Sequence, residues 1–136
     1  MSSPLVFIAT NRLKPGAYEA ERRRVPGLVE FIRASEPRLL AFNEYINAER
    51  TEVTVVQIHP DAASMELHMG VVRERAVRAY SETLDATTRI HVFGTPNDAV
   101  VETLRGQAGA GVPLSVHPEH LGGFTRIGGL FLAGEV

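Results

Sequence analysis

Apolar residues in this chain recur with two different spacings, and the first of these predicts four β-strands. Residues 5–10 (Leu-Val-Phe-Ile-Ala-Thr) are branched or aromatic and are followed by the turn signal Lys14-Pro15-Gly16. Both alternate sets of side chains in this segment are apolar, which predicts a strand that is covered on two sides. Three further strands are predicted at residues 39–47, 53–58 and 88–94, and the polar turn at residues 48–51 makes the middle two a hairpin.

The second spacing, with apolar residues three or four positions apart, predicts helices at residues 17–34 and 61–80. Pro26-Gly27 predicts a kink or restart in the first helix, since proline removes a backbone donor. Asp61 is the predicted N-cap of the second helix, and His68 lies on its apolar stripe. A shorter helix is expected to begin near Pro96-Asn97-Asp98 and end near residue 107, before an extended tail at residues 113–127.

The predicted order β-α-β-β-α-β corresponds to the split βαβ, or ferredoxin-like, arrangement of the α+β class: a four-stranded antiparallel sheet with helices on one face. Residues 1–95 would form this domain, and residues 96–136 would be a C-terminal helix and tail, in the same domain or swapped onto a partner. Because the helices leave one apolar sheet face bare, we expect a homodimer in which two sheets enclose a barrel-like interior. The alternative is a monomer whose outer sheet face is exposed to solvent.

Composition removes several classes of partner and chemistry. The 136 residues are 44% hydrophobic and 22% charged with a formal net charge of −2, so neither nucleic acid nor a membrane is an expected partner. The chain has no cysteine, which excludes disulfides, thiol nucleophiles and thiolate metal sites. No signal peptide or bilayer-spanning apolar run is recognised, and a cytoplasmic location is expected.

Three segments together resemble the antibiotic biosynthesis monooxygenase superfamily of dimeric α/β barrels: the first strand with Lys14-Pro15-Gly16, then Ser35-Glu36-Pro37, then Asp61 through His68. In that family the last element usually runs as a glutamate, an aromatic residue, an acidic cap and a helix histidine. Here these positions are Gln57, His59, Asp61 and His68. The resemblance covers about the first 95 residues and implies the dimeric barrel fold, within a superfamily of oxygenases, haem degraders, isomerases and decomposing enzymes.

The segment from Ala9 to Leu13 also resembles the start of the haem-degrading branch, in which an asparagine at the end of the first strand points into the pocket. That resemblance implies Asn11 as a pocket residue. The branch also uses a tryptophan and a haem-ligating histidine, whereas this chain has no tryptophan and carries Val77 at the histidine position. Haem degradation is therefore disfavoured.

Two side chains are the predicted catalytic residues. The Asn11 amide can donate a hydrogen bond to an anionic oxygen such as a phenolate, or it can satisfy nearby backbone groups. His68 can take a proton from a phenol near neutral pH, or it can donate to a sheet carbonyl or a carboxylate in a structural role.

Polar residues on the predicted strands are the expected substrate-binding set, although they suit a polar dimer interface equally well: Tyr45, Gln57, Asn43 and His91. His59 is either a further pocket residue or, because it lies at a turn, a solvated one. His117, Glu119 and His120 would bind a metal only with a further ligand, so no metal site is predicted.

The leading hypothesis is a cofactor-independent monooxygenase that oxidises a small aromatic or polyketide-like phenol with dioxygen, using neither flavin nor metal. A non-catalytic dimeric protein that binds a ligand or a partner is the alternative from another class, and it predicts a solidly packed interior. A cofactorless isomerase or decomposing enzyme would use the same pocket without oxygen.

Overall fold

The computed structural model describes residues 4–126 as one sheet with three helices. In chain order the elements are β1 (Leu5–Leu13), α1 (Tyr18–Ser35), β2 (Ala41–Ile46), β3 (Glu52–His59), α2 (Ala62–Glu82), β4 (Leu84–Phe93), α3 (Asp98–Ala108) and β5 (Leu114–His117). The predicted α+β, ferredoxin-like class is confirmed. Of the predicted tail, residues 127–136 lie outside the described part of the chain.

The sheet has the strand order β2-β3-β1-β4-β5. The first four strands are antiparallel, as predicted, while β5 runs parallel to β4 and pairs Val116 with Val92. The prediction of four strands was therefore one short. A four-residue stretch between Pro113 and Pro118 has too little periodicity to be separated from an extended tail.

Two element boundaries also differ from the sequence prediction. α1 continues through Pro26 as one helix, without a restart. The carbonyl that Pro26 leaves without its usual partner belongs to Arg22, and both residues are exposed, so water can satisfy it. β4 begins at Leu84, two residues after α2 ends, rather than at residue 88.

The main core lies between the sheet and the helices α2 and α3. Leu5 and Phe7 of β1 are at most 4% exposed, and they cluster with Met65 of α2 and with Val100 and Leu104 of α3. The C-terminal helix thus contributes to the same core as the ferredoxin-like elements. A smaller cluster closes the other end of α2 and contains Leu13, Val53, Ala79 and Leu84.

The opposite face of the sheet is apolar at its centre and carries none of the three helices. Strand alternation places Val6, Ile8, Val56 and Ile58 on this face, all of them only half-buried, and Phe93 beside them is 38% exposed. We call these five residues the open face. They match the expectation that β1 is apolar on both sides.

Candidate functional site

A cavity of about 550 Å³ lies between the sheet and the helices α2 and α3. Its walls combine apolar side chains with a few polar groups, and they come from β1, β3, α2 and α3: Phe7, Ala9, Asn11, Val55, Gln57, Met65, His68, Met69, Val72, Arg73, Ala76, Val77, Tyr80, Thr103 and Gln107. A smaller opening of about 100 Å³ leads from Asn11, Gln57 and His68 toward Arg24 of α1 and Glu44 of β2. A void of this size is that of a small-molecule site rather than of a packed core.

The start of α2 is fixed by its cap, as predicted. Asp61 accepts a hydrogen bond from the Ser64 backbone N–H at 2.9 Å and pairs with Arg38 at 2.5 Å. Hydrogen bonding from the Arg38 guanidinium lowers the pKa of the Asp61 carboxyl, so the cap stays ionised. Because the first turn of the helix is held in this way, His68 faces the sheet from the second turn.

His68 forms a dyad with a buried carboxylate. Its Nδ1–H donates to Glu36 Oε2 over 2.8 Å, and the two side chains are 5% and 2% exposed. With Glu36 as the acceptor, Nδ1 carries the hydrogen, and Nε2 is the ring nitrogen left for a molecule in the cavity. The Phe42 ring, with its centroid 5.8 Å away, packs beside the imidazole.

A second histidine sets the orientation of Gln57. His59 is fully buried, and burial, with His68 nearby, lowers its pKa to about 3, so the ring is neutral. Gln57 Oε1 accepts from His59 Nε2–H at 2.8 Å, and Ser64 donates its hydroxyl hydrogen to Nδ1 at 2.9 Å. With its oxygen engaged, Gln57 presents its amide hydrogens to the cavity.

Asn11, like Gln57, has its side-chain oxygen engaged in hydrogen bonds, in this case with two hydroxyl groups. Its Oδ1 accepts hydrogen bonds from Tyr80 at 2.8 Å and from Thr87 at 2.7 Å. Gln107 donates to the Tyr80 oxygen at 3.4 Å from α3. The Asn11 amide nitrogen makes no hydrogen bond to another described residue, and it is therefore a donor for a bound molecule.

The cavity therefore combines one base with two amide donors. His68 Nε2 can accept a proton, and the N–H groups of Asn11 and Gln57 can stabilise the oxyanion that remains. Apolar residues such as Phe7 and Val72 make up most of the rest of the wall.

The structure brings together only part of the predicted site. Asn11, His68 and Gln57 line one cavity, whereas Asn43 and Tyr45 point to the opposite side of the sheet, where Tyr45 is 60% exposed. His91 is also on that side and stacks on Phe93 at 6.2 Å. These three residues remain predicted contacts for the space between two facing sheets, separate from the cavity.

Three residues of the site were missed or misread from the sequence. Glu36 lies 32 positions from its partner His68, and no local pattern links them. His59 was expected to be either a pocket residue or a solvated turn residue, and it is fully buried because β3 extends through it to the cap of α2. The sequence could have identified Tyr80, since it continues the four-residue spacing of Val72 and Ala76 on the predicted apolar stripe of α2.

Within residues 4–126, no three histidine, aspartate or glutamate side chains are grouped to hold a metal ion. His117 instead meets the Ser115 hydroxyl at 2.8 Å and stacks on Phe93 at 5.1 Å. None of the helices in this part of the chain has the length and apolar content needed to cross a bilayer.

No protein-family model matches this chain, and no curated protein matches it. Solved structures do. MupZ from Pseudomonas fluorescens is 18% identical with a TM-score of 0.66, and the match covers 90% of this chain and 94% of MupZ. A structure of an antibiotic biosynthesis monooxygenase is 20% identical over 68% of this chain and 99% of its own, with a TM-score of 0.58. PA3566 from Pseudomonas aeruginosa is 26% identical over 68% and 91%, with a TM-score of 0.56.

These matches show that the chain has the ferredoxin-like fold found in antibiotic biosynthesis monooxygenase structures. The resemblance inferred from the sequence is thereby confirmed at the level of the fold.

Proposed function

We propose that this protein is a cofactor-independent monooxygenase that oxidises a small aromatic or polyketide-like phenol with dioxygen. The observation that carries the proposal is the arrangement in the cavity, where His68 Nε2 shares the wall with the amide groups of Asn11 and Gln57. A cavity of about 550 Å³ accommodates a ligand of one to a few rings.

The first step is removal of the phenolic proton by His68 Nε2. Glu36, hydrogen-bonded to Nδ1, stabilises the imidazolium that forms, and the Asn11 and Gln57 amides hold the phenolate oxygen. The anion is electron-rich at its ring carbons and can reduce dioxygen itself. For a 1,4-dihydroxyaromatic the product is a hydroxyquinone, with one oxygen atom in the new hydroxyl and the other in water. All four electrons come from the substrate.

An oxygen electrode with a panel of 1,4-dihydroxyaromatics tests this reaction. We expect oxygen uptake by the wild type and about a hundredfold loss in His68→Gln, the magnitude associated with removing a general base. His91→Gln, the same change on the other side of the sheet, should retain wild-type uptake. No uptake with any phenol, or equal uptake by an Asn11→Ala/His68→Ala double variant, would refute the proposal.

A cofactorless isomerase or decomposing enzyme is the second candidate, because the same base and donors would stabilise an enolate without involving oxygen. The two reactions are separated by their dependence on oxygen. Product formed at the same rate under argon, by His68-dependent catalysis, would favour this candidate over a monooxygenase.

We further propose that two copies associate through the open face, as expected from the apolar residues on both sides of β1. Val6, Ile8, Val56 and Ile58 form an apolar strip across the central strand β1 and its neighbour β3. Strips of this kind are usually covered by another element or by a second chain. Such a homodimer would leave the cavity on the helix side of each sheet.

A further inference from the structure

We infer that the carboxylate of Glu44 accepts a hydrogen bond from a second hydroxyl group of the bound molecule, so that the site selects dihydroxyaromatic ligands over phenols with one hydroxyl. The inference deepens the proposed function, on which it rests for the phenol bound at His68. Glu44 lines the smaller opening of the cavity, and the proposed reaction gives it no other role.

Glu44 lies on the same side of the sheet as the proposed base. Its side chain and that of Phe42, two residues earlier on β2, both point to the helix side. Both line the opening of about 100 Å³, together with His68 and Gln57. A molecule bound at His68 can therefore extend to Glu44 without leaving the cavity.

The separation of the two groups along the sheet suits an aromatic molecule. The His68 ring contacts the rings of His59 and Phe42, with centroids 5.5 and 5.8 Å away. Phe42 pairs with Gln57, two residues from His59, so these contacts lie in two neighbouring rows of the sheet. Glu44 is one row further from His59, a step of about 7 Å. One ring or two fused rings can span such a step with a hydroxyl group at each end.

The Glu44 carboxylate lacks a hydrogen-bond donor and is open to one. Within residues 4–126, the one buried side-chain polar atom without a partner is Glu36 Oε1. The Glu44 oxygens also make no hydrogen bond to another described residue, so they are reached by solvent and can be reached by a ligand. Burial nevertheless raises the pKa of this carboxyl to about 7, although the Arg24 guanidinium acts to lower it. A hydrogen bond donated by a ligand would favour the ionised form and offset the cost of burial.

The neighbouring arginine indicates which kind of group fits. Arg24 donates to Glu21 twice, from Nε at 2.8 Å and from Nη2 at 2.7 Å, and it forms no ion pair with Glu44. Its Nη1 group makes no hydrogen bond to another described residue, and Arg24 also lines the opening. A hydroxyl group can donate to Glu44 and accept from Nη1. A ligand carboxylate accepts only, and the negative charge of Glu44 would repel it.

The test measures binding by calorimetry under argon at pH 8, so that no oxidation takes place. Benzene-1,4-diol is compared with phenol, and naphthalene-1,5-diol with 1-naphthol, so the members of each pair differ by the second hydroxyl group alone. A hydrogen bond to a charged acceptor is among the stronger ones in proteins. We therefore expect the wild type to bind at least one diol about tenfold more tightly than its monohydroxy counterpart.

Glu44→Leu removes the acceptor and keeps a side chain of similar size. We expect this variant to lose the preference for the diol and to bind the monohydroxy compound as the wild type does. Glu49→Leu, the same change in the exposed turn between β2 and β3, is the matched control and should keep the preference. Glu44→Gln retains an oxygen acceptor without the charge, so it should reduce the preference, and it serves if Glu44→Leu does not fold.

A carboxylate ligand distinguishes Glu44 from Arg24 as the group that determines specificity. We expect the wild type to bind 4-hydroxybenzoate more weakly than benzene-1,4-diol. Glu44→Leu should reverse this order, because Arg24 Nη1 would then be free to bind the carboxylate without repulsion from Glu44. Tighter binding of 4-hydroxybenzoate by the wild type would overturn the inference and assign this end of the opening to an anion.

Equal affinity of the wild type for both members of each pair, or a preference that persists in Glu44→Leu, would also overturn the inference and leave the proposed function standing. Failure of the wild type to bind any of the diols and phenols would overturn both. Selective binding of a diol that depends on Glu44, together with no oxygen uptake by the wild type, would support the inference and refute the monooxygenase.

Discussion

Tyr80 donates its phenolic hydrogen to Asn11 Oδ1 over 2.8 Å, which joins the last turns of α2 to β1. The Thr87 hydroxyl of β4 lies 2.7 Å from the same oxygen and also contacts the Tyr80 hydroxyl, so the two hydroxyl groups together hold the carbonyl side of Asn11. The amide nitrogen is thereby fixed toward the cavity. A strand asparagine becomes a directed donor only because three elements meet at its oxygen.

Replacing this donor should weaken anion binding in the cavity. Asn11→Asp keeps an oxygen acceptor for Tyr80 and Thr87, but it replaces the amide N–H groups with a negative oxygen. We expect the affinity for 4-nitrophenolate to fall at least about tenfold, equivalent to about 1.4 kcal/mol, as measured by calorimetry. Asn43→Asp, the same change on the other side of the sheet, should bind like the wild type. An equal loss in both variants would argue against this cavity as the site.

The buried His59 should make the fold sensitive to acid. The pKa of His59 is about 3 in the folded state, compared with an ordinary value of 6.5. Between these pH values, the unfolded chain binds a proton at His59 and the folded chain does not. Stability is therefore unaffected by His59 above pH 6.5 and falls by about 1.4 kcal/mol per unit as the pH drops toward 3. In urea titrations, His59→Gln should show a shallower loss across this window. His120→Gln, an exposed control, should follow the wild type.

Glu44 should have the opposite dependence on pH. Burial raises the pKa of its carboxyl to about 7 from 4.5, although the Arg24 guanidinium acts to lower it. Protonation of Glu44 therefore makes its full contribution to the free energy of unfolding below pH 4.5, and this contribution is lost as the pH rises through 7. Thermal melts should find Glu44→Gln equal to the wild type at pH 4 and more stable by about 1–2 kcal/mol at pH 8, a value reduced for partial solvent screening.

A matched control for that experiment is Glu49→Gln, because Glu49 is exposed in the turn between β2 and β3. The same chemical change there should leave stability unaltered at both pH values. A gain at pH 8 in the Glu49 variant as well would assign the effect to net charge rather than to the burial of Glu44.

Pairing of two chains through the open face can be tested with one charge. Ile8 lies at the centre of that face, so Ile8→Lys would place an unpaired ammonium group in an apolar interface, which is costly. By sedimentation at micromolar concentration we expect a dimer for the wild type and a monomer for this variant. Leu67→Lys, on the exposed side of α2, should remain a dimer. A monomeric wild type would refute the homodimer.

Local pattern was enough to predict the fold. Alternating and helical spacings identified the elements of the ferredoxin-like unit and the Asp61 cap, because each depends on neighbours within a few residues. The same reasoning was less successful where a local preference was overridden. Pro26 stays within α1 because the hydrogen bond that it removes is on the exposed side of the helix. β5 forms by pairing with the edge of β4, and the sequence of its own four residues does not predict a strand.

The sequence by itself determined that β1 is apolar on both faces, that α2 is capped at Asp61 and that Asn11 and His68 are polar groups on otherwise apolar surfaces. Only the tertiary structure decided which groups share a compartment. Asn43 and Tyr45 lie outside the site because side chains alternate along β2 and theirs are on the opposite face of the sheet. Glu36 reaches His68 because the turn after α1 folds against α2. Hydrogen bonds between residues distant along the chain depend on that packing, and packing has no local signature.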